Sequence, residues 1–244
     1  MSPKYDLDKI KFATDRPTFE RATGLYESGR VKRFKTDGYV FSGLVQGSKP
    51  YEVVVSPDHY DRGSCECYLG QNDELCKHMV AVAIYAVKGG QPLTDEEKSA
   101  ISEPVCGGRL GELSVQELAE AKNEMSEALR HIKPYNGPSK IWFAYQNSLS
   151  EGCNRIAKLV SELPTSRQTA ELLVNLLLRM ERKLGGGVDD SDGTVGGCME
   201  GIVHVLLEYA ELDPKCTSAF KVLQSIDTSF GWEEPLVLLL DEAE

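Results

Sequence analysis

Apolar positions in the first third of the chain change from a helical to a strand spacing. Over residues 17–29 they recur every three to four positions and end at Gly29, which predicts a short helix. Three runs rich in β-branched and aromatic residues follow, separated by turn sequences, and predict a three-stranded antiparallel meander. These runs lie at 31–34, 39–45 and 51–55. Residues 77–87 are apolar on nearly every side, as in a helix that lies on a sheet and is largely covered.

Beyond residue 106 the pattern is helical, and no strand-like run remains. Ser114 and Glu117 form a capping-box sequence, and apolar residues continue on one helical face to Leu129. Further helices are predicted over 139–163, 166–184, 195–212, 215–226 and 232–243. The sequence therefore predicts an α+β protein. It would have a small β-meander with flanking helices over residues 1–90, a linker over 91–105, and an all-α helical bundle or solenoid-like domain over 106–244.

Charge divides the chain in the same way. The net charge is -11, of which residues 1–90 contribute +1 and the remainder -12. Because an acidic surface repels phosphate backbones, any nucleic-acid contact is expected from the first segment.

The composition also indicates in which cellular compartment the protein is found. No apolar run approaches the roughly 18 residues that cross a bilayer, and the start of the chain lacks the continuous apolar segment of a secretory signal. Seven cysteines, an odd count, indicate reduced thiols or thiolate ligands in place of a disulfide framework. We therefore expect a cytoplasmic protein without a membrane partner.

One short stretch carries four candidate metal ligands, Cys65, Cys67, Cys76 and His78. Three thiolates and one imidazole make a complete tetrahedral set for Zn²⁺. In extended chain, residues two apart face the same way, so Cys65 and Cys67 can hold one ion from a strand end or turn. The same offset in a helix is about 200°, so we expect Cys76 in the turn and His78 at the helix start. Since protein ligands fill all four positions, the pattern predicts one structural zinc.

An iron–sulfur cluster is the alternative occupant, because three cysteines and one histidine can also hold [2Fe–2S]. The outer-mitochondrial iron–sulfur family starts with a similar Cys-x-Cys but needs three residues between its last cysteine and the histidine. Here only Lys77 separates Cys76 from His78. His59 could offer a further ligand, although a complete quartet favours a surface histidine.

The Cys-x-Cys and Cys-x-His spacing resembles the signature of the SWIM-type zinc finger. Ala81 matches the Cys-x-His-x-x-Ala extension of the recombination accessory factors in that family, and is assigned as a motif and packing position. The resemblance covers roughly residues 17–88 and implies a ββα unit that binds DNA or protein partners. The family recurs in helicase-associated proteins and transposases, but no helicase or transposase sequence is present here, so those activities are not expected.

Basic residues are concentrated at the first predicted strand. Arg30, Lys32, Arg33 and Lys35 could contact nucleic-acid phosphates. In a regular strand they alternate between both faces, so we expect no single basic stripe. The alternative is a charged edge strand that resists pairing with another sheet edge.

An acidic stretch over 189–195 has two enzyme-like interpretations and one structural one. An EF-hand would need carboxylates where Val188 and Met199 stand. The nucleophile loop of a phosphatase would need a buried strand before it, where a glycine run ends a predicted helix. We expect the stretch to cap the next helix.

Together these features predict a non-enzymatic zinc-binding interaction protein with no catalytic residue and no small-molecule substrate. The finger is expected to act as an adaptor that contacts a protein partner in a nucleic-acid-related process. The alternative is a protein that binds DNA or RNA directly through its basic strand.

Overall fold

The computed structural model describes residues 2–100, 102–137, 142–226 and 228–241. The chain divides into two units, residues 1–100 and 101–244. The first is α+β and the second is helical, which confirms the predicted fold class.

Four strands and five helices build the described part of the first unit. The helices are α1 Leu7–Ala13, α2 Arg16–Glu27, α3 Tyr68–Gln71, α4 Lys77–Lys88 and α5 Asp95–Lys98, and the strands are β1 Val31–Thr36, β2 Phe41–Gln46, β3 Pro50–Val55 and β4 Gly63–Cys65. The sheet is antiparallel throughout, in the order β1-β2-β3-β4. The sheet therefore has one strand more than the predicted three-stranded meander. The sequence does not reveal β4 because three residues are too few to show an alternating pattern.

Helix α4 lies at the centre of the first unit. One side packs on the sheet, and the other is covered by α1 and α2. Every residue from Met79 to Ile84 is buried, which explains why this helix is apolar on all sides. Gly89 ends α4 in the left-handed conformation, with φ of 63°, and its N–H bonds the Tyr85 carbonyl.

A β-bulge interrupts the edge strand β1. Lys32 pairs with Leu44 and Lys35 pairs with Ser42, so two residues of β1 oppose one of β2. Arg33, in the bulge, takes a left-handed φ of 51°. Because directly paired residues share a face, Lys32 and Lys35 lie on the same face as Leu44 and Ser42. The expectation that the basic residues alternate to both faces is wrong for these two lysines.

The second unit is a bundle of helices. They are α6 Val115–Leu129, α7 Trp142–Glu162, α8 Arg167–Gly185, α9 Thr194–Leu212, a 3₁₀ helix Pro214–Ser225 and α10 Glu234–Asp241. Leu149, Ile156, Leu173, Tyr209 and Phe220 are among the fully buried side chains at its centre. The predicted helix start at 139–141 and helix end at 242–243 lie outside the described residues. Within the described part of this unit, β pairing is limited to one isolated bridge between Leu110 and Thr165.

Both ends of the predicted linker over 91–105 make contacts within a unit. Leu93 is buried in the first core, and its N–H donates to the Glu27 carboxylate at 2.9 Å. The Val105 N–H donates to Ser161 Oγ at 3.1 Å, in the second unit. Apolar burial and these hydrogen bonds assign both ends of the segment to one unit or the other. Among the described helices, none combines the length and apolarity needed to span a membrane.

Candidate metal centre

Three elements, β4, α3 and α4, converge on the predicted ligands. We call these ligands the tetrad: Cys65, Cys67, Cys76 and His78. Cys65 ends β4, and Cys67 is the extended N-cap of α3, with φ of -77° and ψ of 166°. Cys76 is the N-cap of α4, and His78 lies in its first turn. The expected placement of Cys76 before the helix and His78 at its start is therefore what the structure shows.

The geometry of the tetrad fits a tetrahedral metal. All four side chains are buried, and their ligand atoms lie within 4.8 Å of one another. His78 Nδ1 lies 3.7 Å from Cys65 Sγ and 3.9 Å from Cys76 Sγ. Zinc bonds of about 2.3 Å to sulfur and about 2.0 Å to nitrogen, at a tetrahedral angle, place those atoms about 3.6 Å apart. Four donors at this spacing suit one zinc ion.

Hydrogen bonds between the sulfurs and from backbone amides shift the pKa values of two of the tetrad thiols. The hydrogen bond between Cys65 and Cys76 lowers the pKa of the Cys76 thiol to about 4 and raises that of Cys65, because the two sulfurs compete for one proton. The Met79 N–H also lowers the pKa of Cys76. The Gly70 N–H donates to Cys67 Sγ at 3.4 Å. Such a cluster requires a cation before all three sulfurs can be thiolates together.

The orientation of the His78 ring is set by Tyr51 and Gly47. Tyr51 stacks on it, with ring centroids 4.6 Å apart and planes 27° apart. The other ring nitrogen, Nε2, is buried and has no hydrogen-bond partner among the described residues. It faces Gly47, where an added Cβ would come within 3.1 Å of it. Nδ1 is therefore the nitrogen available to the metal.

Chemically, the tetrad is closed. When bound, zinc would be held by three sulfurs and one imidazole nitrogen, and it would supply cross-linking between β4, α3 and α4. With four protein donors, no coordination position is left for a substrate. The tetrad is thus of the structural type, as predicted.

The other predicted positions fall into different environments. Ala81 is fully buried in the core of the first unit, in keeping with a packing role. His59 is exposed and is not part of the tetrad. Exposed side chains are found at all four basic positions, Arg30, Lys32, Arg33 and Lys35.

The acidic stretch over 189–195 caps α9. Both carboxylate oxygens of Asp190 accept backbone N–H groups at its start, from Val195 at 2.7 Å and Gly196 at 2.9 Å. Asp189 accepts from the Trp142 indole at 3.0 Å. These contacts agree with the capping interpretation.

Comparison with known proteins gives one match. Residues 51–86 match the SWIM zinc finger family. No curated protein and no solved structure matches the chain. The matched range contains the whole tetrad, so this part of the first unit is a SWIM zinc finger with one structural zinc site. The match favours zinc over the iron–sulfur alternative.

Proposed function

We propose that this protein is a non-enzymatic adaptor, whose zinc finger presents a recognition surface to a protein partner in a nucleic-acid-related process. The observation that carries the proposal is the closed tetrad. Four buried protein ligands complete the coordination of zinc, which is typical of sites that hold a fold together and not of sites that transform a substrate.

The zinc acts on elements too short to be stable by themselves. Strand β4 has three residues and helix α3 has four. Zinc binding to such a site contributes on the order of 10 kcal/mol to folding. The metal therefore fixes the surface formed by these elements, and recognition by the finger should depend on it.

Different charge balances in the two parts of the chain support an adaptor. Residues 1–90 are nearly neutral, with +1, whereas the remainder carries -12. Surfaces that differ this much in potential favour different partners.

Affinity purification of the tagged full chain, with and without nuclease, tests the adaptor role. We expect proteins that stay bound after nuclease treatment and are lost with Cys67→Ser. Cys106→Ser is the matched control, because Cys106 lies outside the tetrad and is only half-buried. If the Cys67→Ser chain captures the same proteins as the wild type, the finger is not the recognition surface.

Direct nucleic-acid binding is the second candidate, and the bulge in β1 favours it. The bulge places Lys32 and Lys35 together on the outer face of the sheet, opposite the face that α4 covers. Both lysines are exposed, and Ser42 lies beside Lys35 on that face. Two ammonium groups on an open face can contact successive phosphates.

A salt titration distinguishes the two candidates. Anisotropy of labelled single-stranded DNA, duplex DNA and RNA would be measured with the full chain. For a phosphate binder, Lys32→Glu with Lys35→Glu should weaken binding and reduce the slope against log salt by about 2. Lys215→Glu with Lys221→Glu makes the same charge change on exposed positions of the second unit and should have little effect. Absence of binding by the wild type at about 50 mM salt contradicts this candidate.

A further inference from the structure

The second unit contains a cavity of about 460 Å³, open to solvent, that the zinc finger does not share. It lies between the end of α8, the first half of α9 and the segment 230–235. Its apolar walls are formed by Leu184, Val188, Met199, Val203, Phe230 and Trp232. A concave apolar site of this size is typical of ligand-binding pockets.

The cavity wall at Phe230 is held in place although it is exposed. Phe230 is 57% exposed. On either side of it, the Ser229 N–H and the Trp232 indole N–H both donate to the Glu181 carboxylate, at 2.8 Å and 2.9 Å. Thr228 also donates to Glu233. A large apolar side chain on a fixed loop is preorganised for contact, which lowers the entropic cost of binding.

The charged side chains that line the cavity are carboxylates, from Asp190 and Glu200. His204 also lines it, and no lysine or arginine is among its lining residues. Asp190 is engaged by the start of α9, whereas Glu200 is exposed on that helix. The exposed Glu234 approaches Gly231 at the same edge. The part of the chain that forms the cavity is itself strongly acidic.

We propose that this cavity binds a peptide segment of a protein partner in which a large apolar side chain is flanked by lysine or arginine. The apolar walls would receive the anchor side chain, with Phe230 and Trp232 as its main contacts. Glu200 and Glu234 would face the flanking cations. A second copy of this acidic chain would bring carboxylates against carboxylates, so charge complementarity favours a basic partner. The site lies in the second unit, so it goes beyond the role proposed for the finger.

A peptide titration tests the proposal on the full chain. The probe is a fluorescein-labelled peptide with a central tryptophan flanked on each side by lysine and arginine, and binding is followed by anisotropy. We expect Phe230→Ser to weaken binding about tenfold and Glu200→Lys about fivefold. The peptide with alanine in place of tryptophan, or with glutamate in place of the basic residues, should not bind.

Matched variants separate the cavity from general attraction to an acidic protein. Leu238→Ser removes a similarly exposed apolar side chain, at 61%, outside the cavity lining. Glu208→Lys makes the same charge change as Glu200→Lys on the same helix, also outside the lining. Both should bind like the wild type. Equal losses in a variant and its control, or binding of the alanine peptide with undiminished affinity, would overturn the proposal.

Two further outcomes would also count against it. A wild-type dimer that Phe230→Ser dissociates, seen by analytical ultracentrifugation, would make a second copy the occupant. Peptide binding that disappears in Cys67→Ser, with tryptophan fluorescence unchanged, would move the binding to the first unit. Retention of peptide binding in Cys67→Ser supports the cavity, even if that variant loses the finger's own partners.

Discussion

Gly70, within helix α3, packs against Cys65 at the end of β4, and replacing it by alanine tests how the zinc site is built. A Cβ at this position would lie 2.5 Å from both the Cβ and the carbonyl oxygen of Cys65, and 2.9 Å from its Cα. These atoms belong to a zinc ligand and its backbone, so no flexible side chain can move aside. The Gly70 N–H is also a hydrogen-bond donor to Cys67 Sγ.

The size of the effect follows from these distances. Non-bonded carbon atoms pack at about 3.5–4.0 Å, so the added methyl group requires a displacement of about 1 Å. Ligand distances in metal sites are held within about 0.2 Å. Moving Cys65 relative to Cys67 by several times that tolerance distorts the tetrad. We expect the zinc affinity of Gly70→Ala to fall on the order of 100-fold, or about 2.8 kcal/mol.

Competition with a chromophoric chelator measures this affinity on the full chain. Gly24→Ala is the matched control, since it lies in α2 of the same unit and the added Cβ would meet nothing within 4 Å beyond its neighbours and the backbone of its own helix. It should leave zinc affinity unchanged and stabilise the helix by up to about 1 kcal/mol. A Gly70→Ala chain that binds zinc as tightly as the wild type would refute the argument that α3 presses on the ligand backbone.

Three other predictions concern the two units separately. Both tryptophans, Trp142 and Trp232, lie in the second unit, so tryptophan fluorescence reports on that unit alone. Chelation of zinc should open the first unit to proteolysis and leave this fluorescence unchanged. A simultaneous change in both would show that the chain is one cooperative unit. Phe220→Ala removes a fully buried ring and should lower the unfolding free energy of the second unit by about 3–5 kcal/mol. Urea unfolding followed by tryptophan fluorescence measures this, and an unchanged midpoint would contradict it. Hydrogen bonds from Ser114 hold the pKa of Glu117 below its ordinary 4.5, so its stabilising effect is present above that pH and is lost as pH falls through the folded-state pKa. The advantage of wild type over Glu117→Gln in thermal unfolding should therefore shrink from pH 6 to pH 3, and a constant difference would argue against this linkage.

The tetrad could be predicted because its ligand positions depend only on local chain geometry. Cys65 and Cys67 need only extended chain between them, and Cys76 and His78 need only the start of a helix. No long-range contact had to be known. The same holds for α4, whose apolar composition predicts the burial that the structure shows on all its sides.

The supports of the tetrad could not be predicted, because they depend on tertiary contacts. Strand β4 and helix α3 are too short to show a period. Gly70 does not have a positive φ, and only its distance from Cys65 makes a side chain impossible there. The stacking of Tyr51 on His78 joins β3 to α4 across the fold. The sequence gives no sign that this glycine approaches Cys65 or that this tyrosine stacks on His78.

The basic strand shows how a single irregular residue changes a functional interpretation. From the sequence, side chains of a strand are expected to alternate between the two faces of the sheet, which would place Lys32 and Lys35 on opposite faces. The bulge at Arg33 shifts the register, so that Val31 and Phe34 both face α4 while the two lysines share the outer face. A left-handed arginine is uncommon, and nothing in the local sequence predicts it.

The tetrad lies in the first unit, and this bears on how an adaptor would work. The first unit has its own apolar core, but the tetrad should also make its fold respond to zinc supply and to oxidation of the cysteines. The second has a large apolar core in which residues such as Leu173 and Phe220 are fully buried, so we expect its fold to persist without zinc. Loss of zinc would then release the finger's partner and leave the cavity beside Phe230 occupied. Binding of the two partners should therefore be separable by chelation alone, whereas a protein with a single cooperative core would lose both together.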